Sequence, residues 1–420
     1  MEIDASILER LNAIEKNDQY PIKAILLANT LFEKVVEQNP QEWLDLEKKF
    51  QLLKEKYPEE FEETIKELKV KYKFDSNPSS VQDLFLHIYQ SDGDLSIPVI
   101  LSGLHKDIDT FYGLFLRNVY NPLAEKARKK ISKDSVIGLR DKAPEIQAMF
   151  LKGKSQQIAS VKKQYLEQES FENIFKDSCR WRSDLAYECL EEHSPYLSIR
   201  AFGRVRTSRL VSGFEASKAP KALIDKCEKL LSDRTDETEN WAFPEWAKQP
   251  PTMYNPRELW QRTIYGQVGS EQIPLTRLNR LGRDQERFNQ MSIRFHLLDL
   301  ANFQGLRHHH SWTHTDHQYI DKCMTHIETL YKNLLDKGKT PEEKLNLIAR
   351  IHWWGCQACP CERGSAAIME AICQGLLEGA DLPYRLNPEK PADIYALTEP
   401  DEKTFVKDYE QLLLAIPPRE

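Results

Sequence analysis

The stretch from Arg307 to Glu370 concentrates the residue types that could do chemistry in this chain. Seven of the eleven histidines and four of the eight cysteines fall within it. Imidazole exchanges protons near neutral pH, and histidine and cysteine are the usual zinc ligands. The composition of this stretch therefore predicts a functional site, with phosphate binding, acid–base catalysis and metal binding as the chemistries to weigh.

A predicted helix start at Arg363, Gly364 and Ser365 favours phosphate binding. Small residues there leave backbone N–H groups open at the positive end of a helix. Arg363 adds a planar fork of donors that suits a phosphate. Glu370 follows about one and a half turns later, where it could orient a nucleophile or a metal. The alternative is an ordinary capped helix whose small residues allow close packing.

The histidines ahead of this helix are the acid–base candidates. His310, His314 and His317 lie in a predicted loop and could act as acid–base groups or metal ligands. Arg283 and Arg287 belong to an arginine-rich segment without lysine, which suits planar pairing with carboxylate or phosphate. We expect these two arginines to reach the same anion, with ion pairing to nearby acids as the alternative.

A metal site is the second hypothesis for this stretch. His352, Cys356, Cys359 and Cys361 form the pattern H-x3-C-x2-C-x-C, in which His352 and Cys356 share one helix face. Cys-x2-Cys is a zinc-ligand spacing, although closed structural sites usually carry two separated ligand pairs. The alternative is a core histidine with buried thiols.

Residues 352–370 resemble the active loop of Fic-domain enzymes, which transfer nucleotidyl groups to proteins. In both, a helix ends, a short X-Pro-X loop follows, and a glycine-containing helix start cradles phosphates. The run that carries the resemblance is Cys359-Pro360-Cys361-Glu362-Arg363-Gly364. The resemblance implies a nucleotide ligand. The run departs from the family pattern, because Cys359 stands at the position of the catalytic histidine and a second glycine and a terminal arginine are missing.

Composition limits the classes of protein to consider. The chain has 420 residues, of which 40% are hydrophobic and 29% charged, and its net charge is -7. A general nucleic-acid binder needs a basic surface, so no nucleic-acid partner is expected. No apolar run of about 18 residues occurs, so no membrane span is expected, and the N-terminus lacks the pattern of a cleaved signal. We expect a cytoplasmic protein or one secreted into a host cell.

Helical spacing of apolar residues dominates the chain and predicts an all-α protein. Residues 1–240 are predicted to form an N-terminal helical scaffold, and residues 241–420 a C-terminal helical bundle that carries the site. The proline-rich stretch 232–256 marks the boundary, near residue 240. A long helix is predicted over residues 284–303, and a final helix from about Pro400 to Ile416.

The functional hypothesis combines these observations. The chain looks like the secreted effectors of intracellular bacteria, and we expect an enzyme acting on a phosphate-bearing substrate. The reaction would be nucleotidyl or phosphoryl transfer or phosphodiester hydrolysis, with a nucleotide and Mg, or Zn, as cofactor and a host protein as partner. The alternative is a helical protein–protein interaction module with a structural, zinc-binding His/Cys cluster.

Overall fold

The computed structural model describes residues 35–91, 107–131, 144–191, 199–214, 221–231, 259–281 and 310–415. Within these ranges the protein is mostly helical and also contains short strands. The expected all-α class is therefore right about the predominance of helices and wrong in excluding strands. The helix predicted over residues 284–303 lies outside the described residues.

The chain divides into two compact units. The first comprises Met1–Met149 and Tyr187–Glu191, and the second comprises Phe150–Ala186 and Glu192–Glu420. The boundary predicted near residue 240 falls in residues 232–258, outside the described part of the chain, and stays a prediction. All candidate site residues belong to the second unit.

The first unit consists of amphipathic helices around aromatic side chains. Pro40 and Pro58 each stand in the first turn of a helix, where no N–H is needed for helical bonding. Trp43 packs edge-on against Phe111, with 5.6 Å between ring centroids. The helices are α1 (Pro40–Lys56), α2 (Pro58–Tyr72), α3 (Val81–Ser91), α4 (Asp107–Phe115) and α5 (Asn121–Ile131), with a π-helical stretch at Leu116–Tyr120.

The second unit contains most of α6 and α7 and all later elements. Its helices are α6 (Pro144–Leu166), α7 (Phe171–Glu188), α8 (Lys221–Leu231), α9 (Ile320–Leu334), α10 (Pro341–Ala358), α11 (Ser365–Gly379), α12 (Ala392–Leu397) and α13 (Glu402–Asp408). Its strands are β1 (Val211–Phe214), β2 (Leu259–Val268), β3 (Glu271–Leu281), β4 (His310–Thr313), β5 (Tyr384–Leu386) and β6 (Leu413–Ala415). Short 3-10 turns occupy Ile199–Ala201, His317–Tyr319 and Tyr409–Leu412. The predicted final helix therefore ends at Asp408 rather than near Ile416.

Helix α10 is the central element of the second unit's core. A capping box starts it, because the Thr340 hydroxyl accepts from the Glu343 N–H and the Glu343 carboxylate accepts from the Thr340 N–H. Trp353 and Trp354 are fully buried along it. Gly355 allows α11 to approach, since a Cβ there would stand 2.2 Å from the Met369 Cε atom. The close contact between Gly355 on α10 and Met369 on α11 therefore helps to fix the position of α11 against α10.

A four-stranded antiparallel sheet, in the order β1-β4-β3-β2, lies beside these helices. Strands β2 and β3 form a hairpin in which Val268 pairs with Glu271. Gly269 occupies the turn with φ +59, a left-handed value that suits glycine. Strand β4 pairs with both β3 and β1, so His310 lies in a strand and not in the predicted loop. Strands β5 and β6 form a separate antiparallel pair.

Candidate functional site

The turn between α10 and α11 has left-handed backbone at both ends. Cys359 ends α10 with φ 42, and its N–H donates to the Gly355 carbonyl at 3.1 Å. Pro360 follows and cannot donate a backbone hydrogen bond, which prevents the helix from continuing. Gly364 precedes α11 with φ 88, a value that favours glycine. The chain therefore reverses within a few residues and presents Glu362 and Arg363.

A second segment, residues 201–206, runs along this turn and fixes it through backbone hydrogen bonds. Phe202 forms an isolated parallel bridge with Arg363, and Val205 an antiparallel bridge with Cys361. The donor–acceptor pairs are Arg363 N to Ala201 O at 3.0 Å, Gly203 N to Arg363 O at 3.0 Å, Glu362 N to Arg204 O at 2.9 Å and Arg206 N to Pro360 O at 3.0 Å. The turn is thus held by a segment more than 150 residues earlier in the chain.

Two arginines meet at one aromatic ring beside this turn. The guanidinium carbon of Arg182, on α7, lies 4.2 Å from the centroid of the Phe202 ring, and that of Arg363 lies 4.7 Å from it. Such distances are typical of cation–π contacts. Arg182 and Phe202 are buried, and Arg363 is half-buried. We call Arg182, Phe202 and Arg363 the arginine cluster.

The start of α11 adjoins the arginine cluster. A Cβ on Gly364 would stand 2.7 Å from the Arg182 Cγ atom, so the glycine lets Arg182 pass close to the helix start. No side chain caps the helix there. The Ser365 hydroxyl instead bonds backward, accepting from the Cys361 N–H at 2.9 Å. Ala366, in the first turn of α11, is exposed, and the first N–H groups of a helix have no partner within it. The positive end of the α11 dipole and the guanidinium groups of the arginine cluster therefore lie close together.

Two carboxyl groups lie on the elements that pack next to this turn. Glu370, on α11, forms an ion pair with Lys154 at 2.5 Å. Burial raises the pKa of Asp393, in the first turn of α12, to about 6, and the charge of Glu370 also raises it. Asp393 lies close enough to Cys359 to raise the pKa of that thiol, although burial is the main cause. An acid that titrates near neutral pH can exchange protons with a substrate.

The predicted histidines His314 and His317 belong to a segment that lies beside the carboxyl end of α10. His314 is buried, and its Nε2 atom is 2.6 Å from the Ser212 hydroxyl. Burial, together with the charge of Arg206, lowers the pKa of His314 to about 3, so the ring is neutral at physiological pH. His317 is exposed, and its Nδ1 atom is 3.0 Å from an Asp316 carboxylate oxygen. We call residues 310–317 the imidazole segment, and its predicted position over the start of α11 stays a prediction.

Arg206 is the reason for this placement. It is buried, and its N–H groups donate to the carbonyls of Cys359 at 2.7 Å, Ala358 at 2.9 Å and Thr315. The Thr315 hydroxyl donates to the Gln357 carbonyl at 2.7 Å. A cation suits the carbonyl end of a helix, although burial lowers the pKa of this guanidinium. The residues after His314 are thus tied to the end of α10.

The predicted zinc ligands do not converge. Among the described residues, no group of three or more His, Cys, Asp or Glu side chains is arranged to hold a metal ion. The His352 Nδ1 atom instead lies 2.9 Å from the Tyr409 hydroxyl, and the Cys361 sulfur lies 3.6 Å from that of Cys179. Cys356 is buried in the same core as His352. This observation favours the alternative of a core histidine with buried thiols.

Sequence reasoning identified Arg363, Gly364, Ser365 and Glu370 in this region and missed two important neighbours. Arg182 stands on a helix that gave no catalytic signal, about 180 residues before Arg363. Asp393 resembles any acid in the first turn of a short helix. Arg283 and Arg287 lie outside the described residues, so their expected contact with the anion stays a prediction.

Comparison with known proteins places this site in a family. The profile of the AvrB_AvrC family, described as avirulence proteins, matches residues 165–415, which include the turn, the arginine cluster and both carboxyl groups. The chain belongs to this family. It is also 34% identical, over 102 residues, to Avirulence protein B of Pseudomonas savastanoi pv. glycinea. That alignment covers 24% of this chain and 31% of the relative's length.

Family membership confirms one part of the sequence-based hypothesis and corrects another. A bacterial avirulence effector agrees with the expected effector-like character. The resemblance of residues 352–370 to a Fic-type loop was wrong, because the matching family profile covers that whole segment and is the AvrB_AvrC one. None of the helices in the described part of the chain has the length and apolar character that crossing a membrane requires.

Proposed function

We propose that this AvrB-family effector is an enzyme that acts on a phosphate-bearing substrate at the arginine cluster. The observation that carries the proposal is the meeting of Arg182 and Arg363 at the uncapped start of α11. Guanidinium groups and helix N-termini both recognise phosphate, and here they adjoin each other. A nucleotide is the ligand class that we expect, with its phosphates at the start of α11.

The charge distribution supports an anionic ligand. Each guanidinium carbon lies within 4.7 Å of the same ring centroid, so the two charges are near neighbours. A phosphate within reach of both guanidinium groups would be attracted to both charges and to the positive end of α11.

Asp393 and Glu370 supply the proposed acid–base chemistry. With its pKa raised to about 6 by burial, Asp393 is mostly ionised at neutral pH and can still exchange protons efficiently. We assign it the removal of a proton from the attacking group in a nucleotidyl or phosphoryl transfer or a phosphodiester hydrolysis. Magnesium is commonly held by one or two carboxylates together with substrate phosphates, a role that Glu370 would fill.

The partner in this proposal is a protein of the host cell. The description of the family, and the name of the Pseudomonas relative, refer to avirulence, which supports action within a host. The histidines at positions 310, 314 and 317 receive no role in the proposal, because the segment after His314 is anchored to the carboxyl end of α10.

Isothermal titration calorimetry with ATP and Mg, and separately with pyrophosphate, tests the proposal. We expect Arg363→Ala and Arg182→Ala each to weaken binding by tenfold or more. Arg180→Ala is the matched control, because Arg180 lies on the same helix, is exposed and pairs with Asp177. Asp393→Asn is expected to retain binding, since the carboxyl group does not contact the phosphate in this proposal, and to lose turnover.

Two results would contradict the proposal. One is that the Arg363→Ala and Arg182→Ala variants bind ATP and pyrophosphate with the same affinity as the parent protein. The other is a folded parent protein that binds neither ATP nor pyrophosphate, which would favour the interaction-module alternative.

A further inference from the structure

We propose that Cys179 and Cys361 form a redox-sensitive thiol pair, which a peroxide converts to a disulfide and which thereby controls the arginine cluster. The effect on ligand binding rests on the proposed function. Formation of the disulfide itself stands on the contact between the two thiols.

The first observation is the position of the two sulfur atoms. The Cys179 and Cys361 Sγ atoms lie 3.6 Å apart, within hydrogen-bonding distance for thiols. A disulfide bond is about 2.05 Å long, so the sulfurs must approach by roughly 1.5 Å. Both cysteines are buried, so this contact belongs to the folded core and not to a solvent-exposed surface.

The second observation is where these cysteines stand in the chain. Cys179 precedes Arg182 by three residues on α7, and Cys361 precedes Arg363 by two residues in the turn. The thiol pair thus joins the two segments that carry the two guanidinium groups. A covalent bond between these sulfurs would connect the supports of the arginine cluster directly.

The third observation is the tight packing of the backbone around the pair. A Cβ on Gly203 would stand 2.0 Å from the Cys179 carbonyl oxygen, and the Gly203 N–H donates to the Arg363 carbonyl at 3.0 Å. A Cβ on Gly364 would likewise stand 2.7 Å from the Arg182 Cγ atom. Close-packed groups transmit small displacements. Drawing the sulfurs together would therefore shift Arg182 relative to the start of α11.

The two cysteines take different parts in the reaction. Cys179 is 8% exposed and Cys361 is fully buried, so a small oxidant reaches Cys179 first. The hydrogen bond from Cys179 and burial raise the pKa of Cys361 well above its usual value. Cys361 therefore remains a thiol at neutral pH and acts as the resolving partner, and we expect oxidation to be slow.

The chemistry balances with hydrogen peroxide as the oxidant. The Cys179 sulfur attacks one peroxide oxygen, the O–O bond breaks, and one water leaves with the thiol proton, which makes a sulfenic acid. The Cys361 sulfur then attacks the sulfenic sulfur, the S–O bond breaks, and the hydroxyl group leaves as water with the second thiol proton. Two electrons pass from the two sulfurs to the peroxide.

Mass spectrometry of the full-length protein tests the thiol pair. After hydrogen peroxide treatment, alkylation and non-reducing digestion, we expect a cross-linked peptide joining Cys179 to Cys361, which dithiothreitol separates. ATP–Mg titrations are expected to show at least fivefold weaker binding after oxidation and full recovery after reduction. Cys179→Ala and Cys361→Ala should keep their ATP affinity in peroxide, whereas Cys227→Ala, another buried cysteine, should respond like the parent.

The outcomes separate this inference from the proposed function. Absence of the cross-linked peptide in the folded parent protein would overturn the thiol pair, whatever the protein binds. A cross-linked protein that binds ATP as the reduced one does would overturn its control of the arginine cluster. A parent protein that binds no phosphate ligand would refute the proposed function and its regulation, and the peptide map would still decide whether the thiols pair.

Discussion

Replacement of Gly364 by alanine tests whether the start of α11 and Arg182 are packed as tightly as the coordinates show. Gly364 has φ +88, and alanine in left-handed backbone is destabilised by about 1 to 2 kcal/mol. The new Cβ would stand 2.7 Å from the Arg182 Cγ atom and 3.1 Å from its Nε atom. Overpacking of this kind typically costs about 1 to 3 kcal/mol. We therefore expect Gly364→Ala to destabilise the protein by about 2 to 5 kcal/mol.

Gly269→Ala is the matched control for backbone strain. Gly269 also has a left-handed φ of +59, and a Cβ there meets nothing within 4 Å. We expect this variant to lose only about 1 kcal/mol, so the difference between the variants measures the clash with Arg182. Calorimetric melting would show it as a shift of roughly 2 to 4 °C for each kcal/mol, the range for domains of about 150 to 250 residues.

A double-mutant cycle then assigns the clash to Arg182. In the Arg182→Ala background, Gly364→Ala should be no more destabilising than Gly269→Ala, because the contacting side chain is gone. Gly364→Ala alone should also weaken ATP binding, since the displaced Arg182 leaves the helix start. Equal destabilisation by the two glycine substitutions in the parent protein would refute the packing on which the arginine cluster depends.

Three further predictions concern buried charge. Burial lowers the pKa of both His314 and His352 to about 3. The folded protein therefore holds both rings neutral, and the free energy of unfolding is highest above about pH 6.5. Below that pH it falls by roughly 1.4 kcal/mol per pH unit for each histidine. Urea unfolding at pH 7.5 and 5.0 should show a smaller pH dependence in His314→Gln and in His352→Gln, and unchanged slopes would contradict the burial. The raised pKa of Asp393, about 6, gives a pH dependence of the opposite sign. Protonated Asp393 stabilises the folded state, and this stabilisation is lost as the pH rises through 6. Asp393→Asn should therefore raise the melting temperature at pH 8, and a lower one would count against a buried carboxylate. Arg206→Lys should destabilise the protein by about 2 to 4 kcal/mol in urea unfolding, since lysine lacks the fork that reaches several carbonyls; a loss below 1 kcal/mol would argue against that role.

Local sequence signals were sufficient where a helix start or stop depended on neighbouring residues. Thr340 and Glu343 have the spacing of a capping box, and the capping box forms. Arg363 and Gly364 predicted a helix start with a positive charge, and the structure has both. These features depend on backbone dihedrals and on contacts within about four residues, which the sequence displays directly.

His310 was assigned to a loop because local sequence pattern gives no information about strand pairing. His310 pairs in register with Phe214 and with Arg280, residues that lie far from it in the chain. The hairpin of β2 and β3 was missed as well, because the arginine-rich segment was interpreted as a partner for a carboxylate or phosphate and no strand was predicted in it. The short Gly269 turn between two β-capable runs was the available signal.

The sequence by itself determined a mostly helical chain, a helix start close to Ser365 and the presence of Arg363 beside it, because these follow from helix periodicity and local turn signals. Only the tertiary structure decided which groups stand next to that helix start. Arg182 and Phe202 come from separate earlier segments, Asp393 from a later helix, and Arg206 ties the imidazole segment to the carboxyl end of α10. Contacts between residues so distant in the chain arise from the packing of whole elements, and no local spacing encodes them.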